Sequence, residues 1–405
     1  MNRSRPFLPY GKPTIEADDR AAVADALGSD MLTTGPRPAA FEAALAERLG
    51  APHAVVCSNG TAALHLAALA LGLGPGDCAV VPSLTFLATA NCVAFTGARV
   101  VFADVDPQTG LMTPETAAAA VARSDGPVRA LFPVHLNGQC CDMAGIAAVA
   151  RRAGARIVED ACHAIGGAQT ADPARWPGGL APVGACAHSD MATFSFHPVK
   201  TITTTEGGAV LARDGDLTRR LRDFRNHGLI REAERFTNPD GFDGAGAPNP
   251  WFYEMQAPGY NYRLSDVQCA LGISQLAKLD RFVARRAALV ARYRERLGAC
   301  ALPLAPVPEI ATGRPAWHLF AVAIDFEAAG ASRAETMRAL AAQGVGSQVH
   351  YYPVHRQPYY RALDPTLDLP GADRYYDRAL SLPLFPAMTD ADVDRVVDAL
   401  AEALG

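Results

Sequence analysis

Through the first half of the chain, short apolar runs alternate with longer stretches of helical spacing. Residues 54–57, 78–81, 99–103, 128–133 and 156–158 read as strands, and the segments from Thr61 and from Phe86 to Phe95 read as helices between them. Strands that are apolar on both sides require a sheet covered on both faces. Two further runs, 192–195 and 209–211, are separated by too few residues for a helical crossover, so one of them is expected to run antiparallel. The pattern predicts an α/β fold, with a large domain of about seven mostly parallel strands between helices over roughly residues 30–255.

The second half reads differently. Segment 231–256 is rich in Gly, Pro and Asn, shows no period, and is expected to be a structureless functional or interface loop. Ser265-Asp266-Val267-Gln268 is a capping box. It opens a helix expected to run to Leu297, with Val267, Leu271, Leu276, Leu279 and Val283 at helical spacing. That helix connects to a smaller C-terminal α/β domain. Strands are expected there at 319–324 and 347–352, with a capping box at Ser332–Glu335 and a terminal helix opened by Thr389. The expected division is 1–265, an N-terminal segment with the large domain, and 266–405, the connecting helix with the small one.

Composition narrows the function. A chain of 405 residues exceeds one ordinary core, and 49% hydrophobic with 20% charged residues argues for extensive buried structure. Net charge is -5 and the basic residues are scattered, which disfavours a nucleic-acid surface. No apolar run reaches membrane-span length, and the first six residues have no apolar stretch behind them, so neither a span nor an export signal is expected. The nine cysteines are odd in number and lack a C-x-x-C pair; neither a disulfide framework nor a metal site is expected, and a cytoplasmic setting fits.

Ligands of open α/β sheets bind at strand ends. After the first strand, Ser58-Asn59-Gly60-Thr61 opens a helix whose free N–H groups and Gly60 suit a phosphate, although a plain helix cap has the same look. The fifth strand ends at Glu159-Asp160-Ala161-Cys162-His163, and a buried carboxylate there calls for a cationic partner such as a protonated pyridine nitrogen. Lys200 follows the strand Ala192–Ser195 among small hydroxyl residues, where burial would lower its pKa and free its amine. Alone, each residue has an ordinary structural reading. Together, a phosphate cradle, a strand-end carboxylate and a sheltered lysine are what pyridoxal phosphate requires.

Five ordered motifs, S-N-G-T-A-A-L-H (58–65), P-S-L-T-F-L-A-T-A-N (82–91), E-D-A-C-H-A-I-G (159–166), F-S-F-H-P-V-K-T-I-T-T-T-E-G-G (194–208) and G-Y-N-Y-R-L-S-D-V-Q (259–268), carry a resemblance over nearly the whole chain. The chain resembles the DegT-like nucleotide-sugar aminotransferases of the fold-type I pyridoxal-phosphate enzymes. The resemblance implies that Lys200 is the Schiff-base lysine, Asp160 the partner of the pyridine nitrogen, His163 the contact of the ring hydroxyl and Phe86 the face on which the ring stacks. It assigns Gly60, Thr61 and Ser195 to the phosphate, with Asn261 reaching it from a second subunit, so that active sites lie at a homodimer interface. Lysine at 200 sets the chain apart from relatives that carry histidine there and dehydrate sugars.

Within the family, H-P-V-K, Arg225-Asn226-His227-Gly228 and Gln348-Val349-His350-Tyr351-Tyr352-Pro353 resemble the pseudaminic-acid branch, with Thr201 where many branches have asparagine. That branch implies amination at C4 of a UDP-linked 4-keto-6-deoxy-N-acetylhexosamine, with glutamate as donor. Tyr10, Met31, Leu32, Thr33, Gln348, Val349, His350 and Tyr351 match its substrate-lining segments. Segments 170–184 and 240–250 are longer than the family pattern. Alternatives are an aminotransferase for another nucleotide-linked ketosugar or a cyclitol, and a cofactor-binding regulator without turnover.

Overall fold

The computed structural model of the chain describes residues 6–405; residues 1–5, on which the expected lack of an export signal partly rests, lie outside the described residues. Strands His53–Cys57, Cys78–Pro82, Arg99–Ala103, Val128–Leu131, Arg156–Asp160, Met191–Ser195 and Gly208–Ala212 form one sheet. These are the seven apolar runs of the sequence. Across the sheet they stand in the order 53–57, 208–212, 191–195, 156–160, 128–131, 78–82, 99–103. Gly208–Ala212 runs antiparallel to both neighbours, and every other pairing is parallel.

Alternation along the strands builds two cores. Val55 and Cys57 join a cluster with Leu64, Val80, Leu131 and Val158. Ala54 and Val56 join another with Phe41, Leu45, Phe194 and Phe282. A strand buried on both faces has this signature. The helix Gly60–Leu71 is buried nearly all round, which is why its sequence shows so little polar face.

A third cluster gathers Leu289, Tyr293, Phe320, Val322, Leu382 and Val396 around an antiparallel sheet of Leu304–Pro306, Phe320–Ile324 and Ala379–Leu382. Leu8 belongs to it: its amide donates to Gly344 O and its carbonyl accepts from Gly346 N, so the amino-terminal segment runs along this smaller unit. Tyr10 O then accepts from Leu384 N. The capping boxes at Ser265, Ser332 and Thr389 open helices Asp266–Leu276, Arg333–Ala342 and Asp390–Leu404.

Three expectations need correction. The helix opened by Ser265 ends at Leu276, and a second runs Leu279–Gly298. No Gly or Pro marks the break; Ala277 and Lys278 form the turn between the two helices, and the Lys278 ammonium lies 2.6 Å from Asp19 and 2.8 Å from Asp18. Segment 347–352 is not a strand. Only Gln348 pairs with Ser381, after which the chain turns away, with His350 Nδ1 2.9 Å from Ser381 Oγ. Segment 231–256 is not structureless: Glu254–Met255 pairs with Leu229–Ile230, the Glu254 carboxylate accepts the Thr237 and Asn238 amides, and the Phe236 ring packs on Phe252 and Phe242. The long segment 170–184 closes the hairpin Ala168–Thr170 with Leu180–Pro182, and Gly313–Arg314 adds a third strand to it.

Among the described residues no helix is long and apolar enough to cross a membrane, and no group of three or more His, Cys, Asp or Glu could hold a metal ion.

The Lys278 cluster is what joins helix Ala17–Leu27 to the connecting helices. Burial works to raise the Asp19 carboxyl, but the Glu16 amide, Lys278, Ser274 and Gln275 outweigh it and hold it below the usual carboxylate range. Lys278→Met removes the cation while Asp19 stays fully buried, and should destabilise the protein by about 3 kcal/mol. The shift of the denaturant midpoint measures it.

Candidate active site

A cavity of about 650 Å³ lies at the carboxyl ends of the parallel strands. It brings together Tyr10, Gly60, Thr61, Phe86, Asp160, His163, Ser195, Lys200, Gln348, Val349, His350 and Tyr351. Met31, Leu32 and Thr33 stand outside it, on the segment before helix Arg37–Leu49, where Leu32 O accepts from Asp266 N. Asn261 also stands outside; it is exposed and bridges to Asn226.

The cradle is built by the helix that follows the first strand. Asn59 caps it, its side chain accepting from Ala62 N at 2.8 Å. The Gly60 and Thr61 amides belong to the first turn, which the helix cannot satisfy by itself. A Cβ on Gly60 would lie 2.7 Å from Ser195 Cβ, so only glycine lets the helix start press against that strand end. On the neighbouring strand a Cβ on Gly208 would lie 2.4 Å from Asn59 O. Two glycines therefore let the helix start press against the ends of the two strands.

Asp160 ends its strand buried, with its amide donating to Pro133 O at 2.8 Å and its carbonyl accepting from His135 N at 3.0 Å. Its Oδ1 accepts from Cys162 N at 3.2 Å and its Oδ2 from Thr89 Oγ1 at 2.7 Å. On the opposite face of the strand, Glu159 meets His135 Nε2 at 2.8 Å, both side chains being fully buried.

Lys200 sits in the turn after strand Met191–Ser195, its amide donating to His197 O. The hydroxyl-rich run behind it is internally satisfied: Thr203 Oγ1 donates to Phe196 O, Thr204 Oγ1 to Glu206 O, and the Thr205 amide to Thr203 Oγ1. Those threonines hold the turn. Burial lowers the Lys200 pKa, opposed by the Asp160 carboxylate in the same cavity.

Three imidazoles share the neighbourhood. Burial, then the charge of Lys200, lowers His163 well below the usual histidine value and takes His350 down to about 3. Burial, then His163 and Lys200, lowers His318 in the same way. Tyr351 OH lies 3.1 Å from His163 Nε2, and the His163 and His318 rings are 4.4 Å apart. Tyr10 packs on His350 with ring centroids 5.5 Å apart.

Several lining residues were not singled out from the sequence. Cys162 and Glu206 lie inside quoted motifs, and their spacing to Asp160 and Lys200 was a usable signal; His318 and Val134 carry no such signal, because only the fold brings them here.

The residues present fit pyridoxal phosphate. The first-turn amides suit its phosphate and Asp160 its ring nitrogen. Phe86 is 57% exposed while lining the cavity, so an apolar face is offered to a ring. His163 Nδ1 is buried without a partner, an atom that suits a polar substituent on that ring.

A model of the DegT/DnrJ/EryC1/StrS aminotransferase family matches residues 13–401. Among solved structures, the chain is similar to Helicobacter pylori PseC, an aminotransferase involved in the biosynthesis of pseudoaminic acid: TM-score 0.85, 24% identity, 98% of this chain and 99% of that one covered. It is similar to the aminotransferase TlmJ from Streptoalloteichus hindustanus, with a TM-score of 0.84, 31% identity and coverage of 98% and 99%. A third likeness is DesI, solved in the presence of its TDP-sugar product, with a TM-score of 0.82, 32% identity and coverage of 98% and 92%. A family match over nearly all of its length and a cavity furnished for the cofactor lead to one conclusion: the chain belongs to the DegT/DnrJ/EryC1/StrS aminotransferase family and is a pyridoxal-phosphate-dependent aminotransferase.

Proposed function

We propose that the enzyme transfers an amino group from glutamate to the C4 keto group of a UDP-linked 4-keto-6-deoxy-N-acetylhexosamine. The observation that carries amino transfer is a lysine amine of lowered pKa lining one cavity with a strand-end carboxylate and a helix start. The likeness to PseC supports this sugar class, together with Gln348 to Tyr351 at the cavity. A second reading, a TDP-linked ketosugar, is favoured by the higher identity to DesI, 32%.

Bound, the cofactor supplies an electron sink that stabilises charge developing on the substrate carbon. The chain supplies the rest. Lys200 Nζ, its pKa lowered by burial so that its proton is more readily given up, would take the proton from the carbon that carries the donor's amine and return one on the cofactor side. Asp160 would hold the ring nitrogen's proton, and His163 would meet a polar ring substituent through its unpaired Nδ1 while Tyr351 orients its other nitrogen. Gly60, Thr61 and Ser195, which line the cavity at the helix start, would hold the phosphate. Tyr10, Val349, His350 and Tyr351 wall the side where a sugar would enter and exclude water.

Among the described residues no arginine lines the cavity, and Lys200 is its one lysine. Glutamate and a nucleotide diphosphate bring several negative charges, which supports a homodimer in which a second copy completes the site with Asn261 and its neighbours. Asn261, exposed and outside its own chain's cavity, suits that role.

Three outcomes follow. Lys200→Ala should abolish amine exchange between glutamate and a panel of UDP- and TDP-linked ketosugars; turnover at the wild-type rate would contradict the reading, and the panel separates the two sugar classes. Mixing Lys200→Ala with Asn261→Ala subunits should restore activity that neither variant has alone, because each mixed dimer holds one site with both residues; no recovery would argue against shared sites. Lys12, Lys200 and Lys278 are the chain's three lysines. Lys200 is lowered by burial, whereas the Asp18 and Asp19 contacts outweigh burial and raise Lys278. A lowered pKa means that neutral amine is present at lower pH, so acylation of the cofactor-free protein, followed by peptide mapping, should reach Lys200 at a lower pH than Lys278.

A further inference from the structure

The Asp160 carboxylate is held by a pair of hydroxyls that do not themselves line the cavity. Thr89 Oγ1 stands 2.7 Å from Asp160 Oδ2 and 2.8 Å from Thr85 Oγ1, and all three side chains are buried. A hydroxyl has one proton, and an ionised carboxylate only accepts. The directions are therefore fixed: Thr89 donates to Asp160, and Thr85 donates to Thr89.

This is not the default use of a helical threonine. Thr218 and Thr336 return their hydroxyls to the carbonyls of Asp214 and Ser332, four residues back. Thr89 instead turns its hydroxyl to the end of another element. Its amide donates to Phe86 O at 3.2 Å, so the same helix start that carries the Phe86 ring at the cavity wall also carries the relay. With the Cys162 amide on Oδ1, both carboxylate oxygens have a donor and the plane of the group is set.

We propose that Thr89, oriented by Thr85, is a positioning residue for the reaction: it fixes the Asp160 carboxylate in the orientation that holds the proton on the cofactor's ring nitrogen. The proposal rests on the reading of Asp160 given above. A charge-assisted hydrogen bond is among the stronger ones, and its loss leaves a buried carboxylate oxygen unsatisfied.

Thr89→Val keeps the shape and removes the donor. With cofactor bound, kcat should fall about tenfold, with little change in KM for glutamate, because Thr89 does not touch substrate. The cofactor-free protein should bind pyridoxal phosphate more weakly, and the pH dependence of the bound cofactor's absorption should shift. Thr89→Ser should restore most of the wild-type behaviour, and Thr85→Val should give a smaller loss in the same direction. Unchanged affinity, absorption and kcat in Thr89→Val overturn the proposal, even if its melting temperature falls. If Thr89→Val does not fold, the same null result in Thr85→Val overturns it. Asp160→Asn separates the two levels: impaired Asp160→Asn beside unaffected threonine variants sinks the relay alone, whereas a fully active Asp160→Asn sinks the reading of the site.

Discussion

An ammonium taken out of water must either find a negative partner or give up its proton. Lys200 stands at that balance. The cavity wall withdraws solvent from it, which favours the neutral amine, while Asp160 in the same cavity favours the charge. Burial wins in direction. Its influence extends to the neighbours: His163, His318 and His350 are all pushed toward the neutral form, partly because a second cation beside Lys200 would be repelled. On the proposed reading, a set of neutral nitrogens around one carboxylate is what proton transfer at neutral pH needs.

The sheet makes this balance available. Gly60, Asp160 and Ser195 come from the ends of parallel strands and so meet on one side of the sheet. The single antiparallel strand, Gly208–Ala212, forces the chain after Ser195 to turn back within a short span, and that turn carries Lys200. The smaller unit closes the other side: the pairing of Gln348 with Ser381 ends at once, leaving His350 and Tyr351 to face His163 and Tyr10.

Much of this was legible because the relevant signals are local. Seven apolar runs became seven strands, the capping boxes at Ser265 and Ser332 opened helices, and Thr389 opened the terminal one. The motifs around Gly60, Asp160 and Lys200 converge because each sits at a strand end, where position along the element fixes position in the fold. What was missed depends on distant partners. The turn at Ala277 and Lys278 sits where the Lys278 ammonium meets Asp18 and Asp19, hundreds of residues away. Residues 347–352 have the β-branched and aromatic look of a strand, yet their side chains are claimed by Ser381 and His163. Met31, Leu32 and Thr33 matched a family pattern, but one chain by itself does not carry them to the cavity.

With three lysines in the chain, one measurement addresses the central claim directly. Borohydride reduction of the cofactor-loaded enzyme, followed by peptide mass mapping, should leave the added cofactor mass on the peptide containing Lys200 alone. Mass found on Lys12 or Lys278, or on no lysine while the enzyme remains active, would contradict the account.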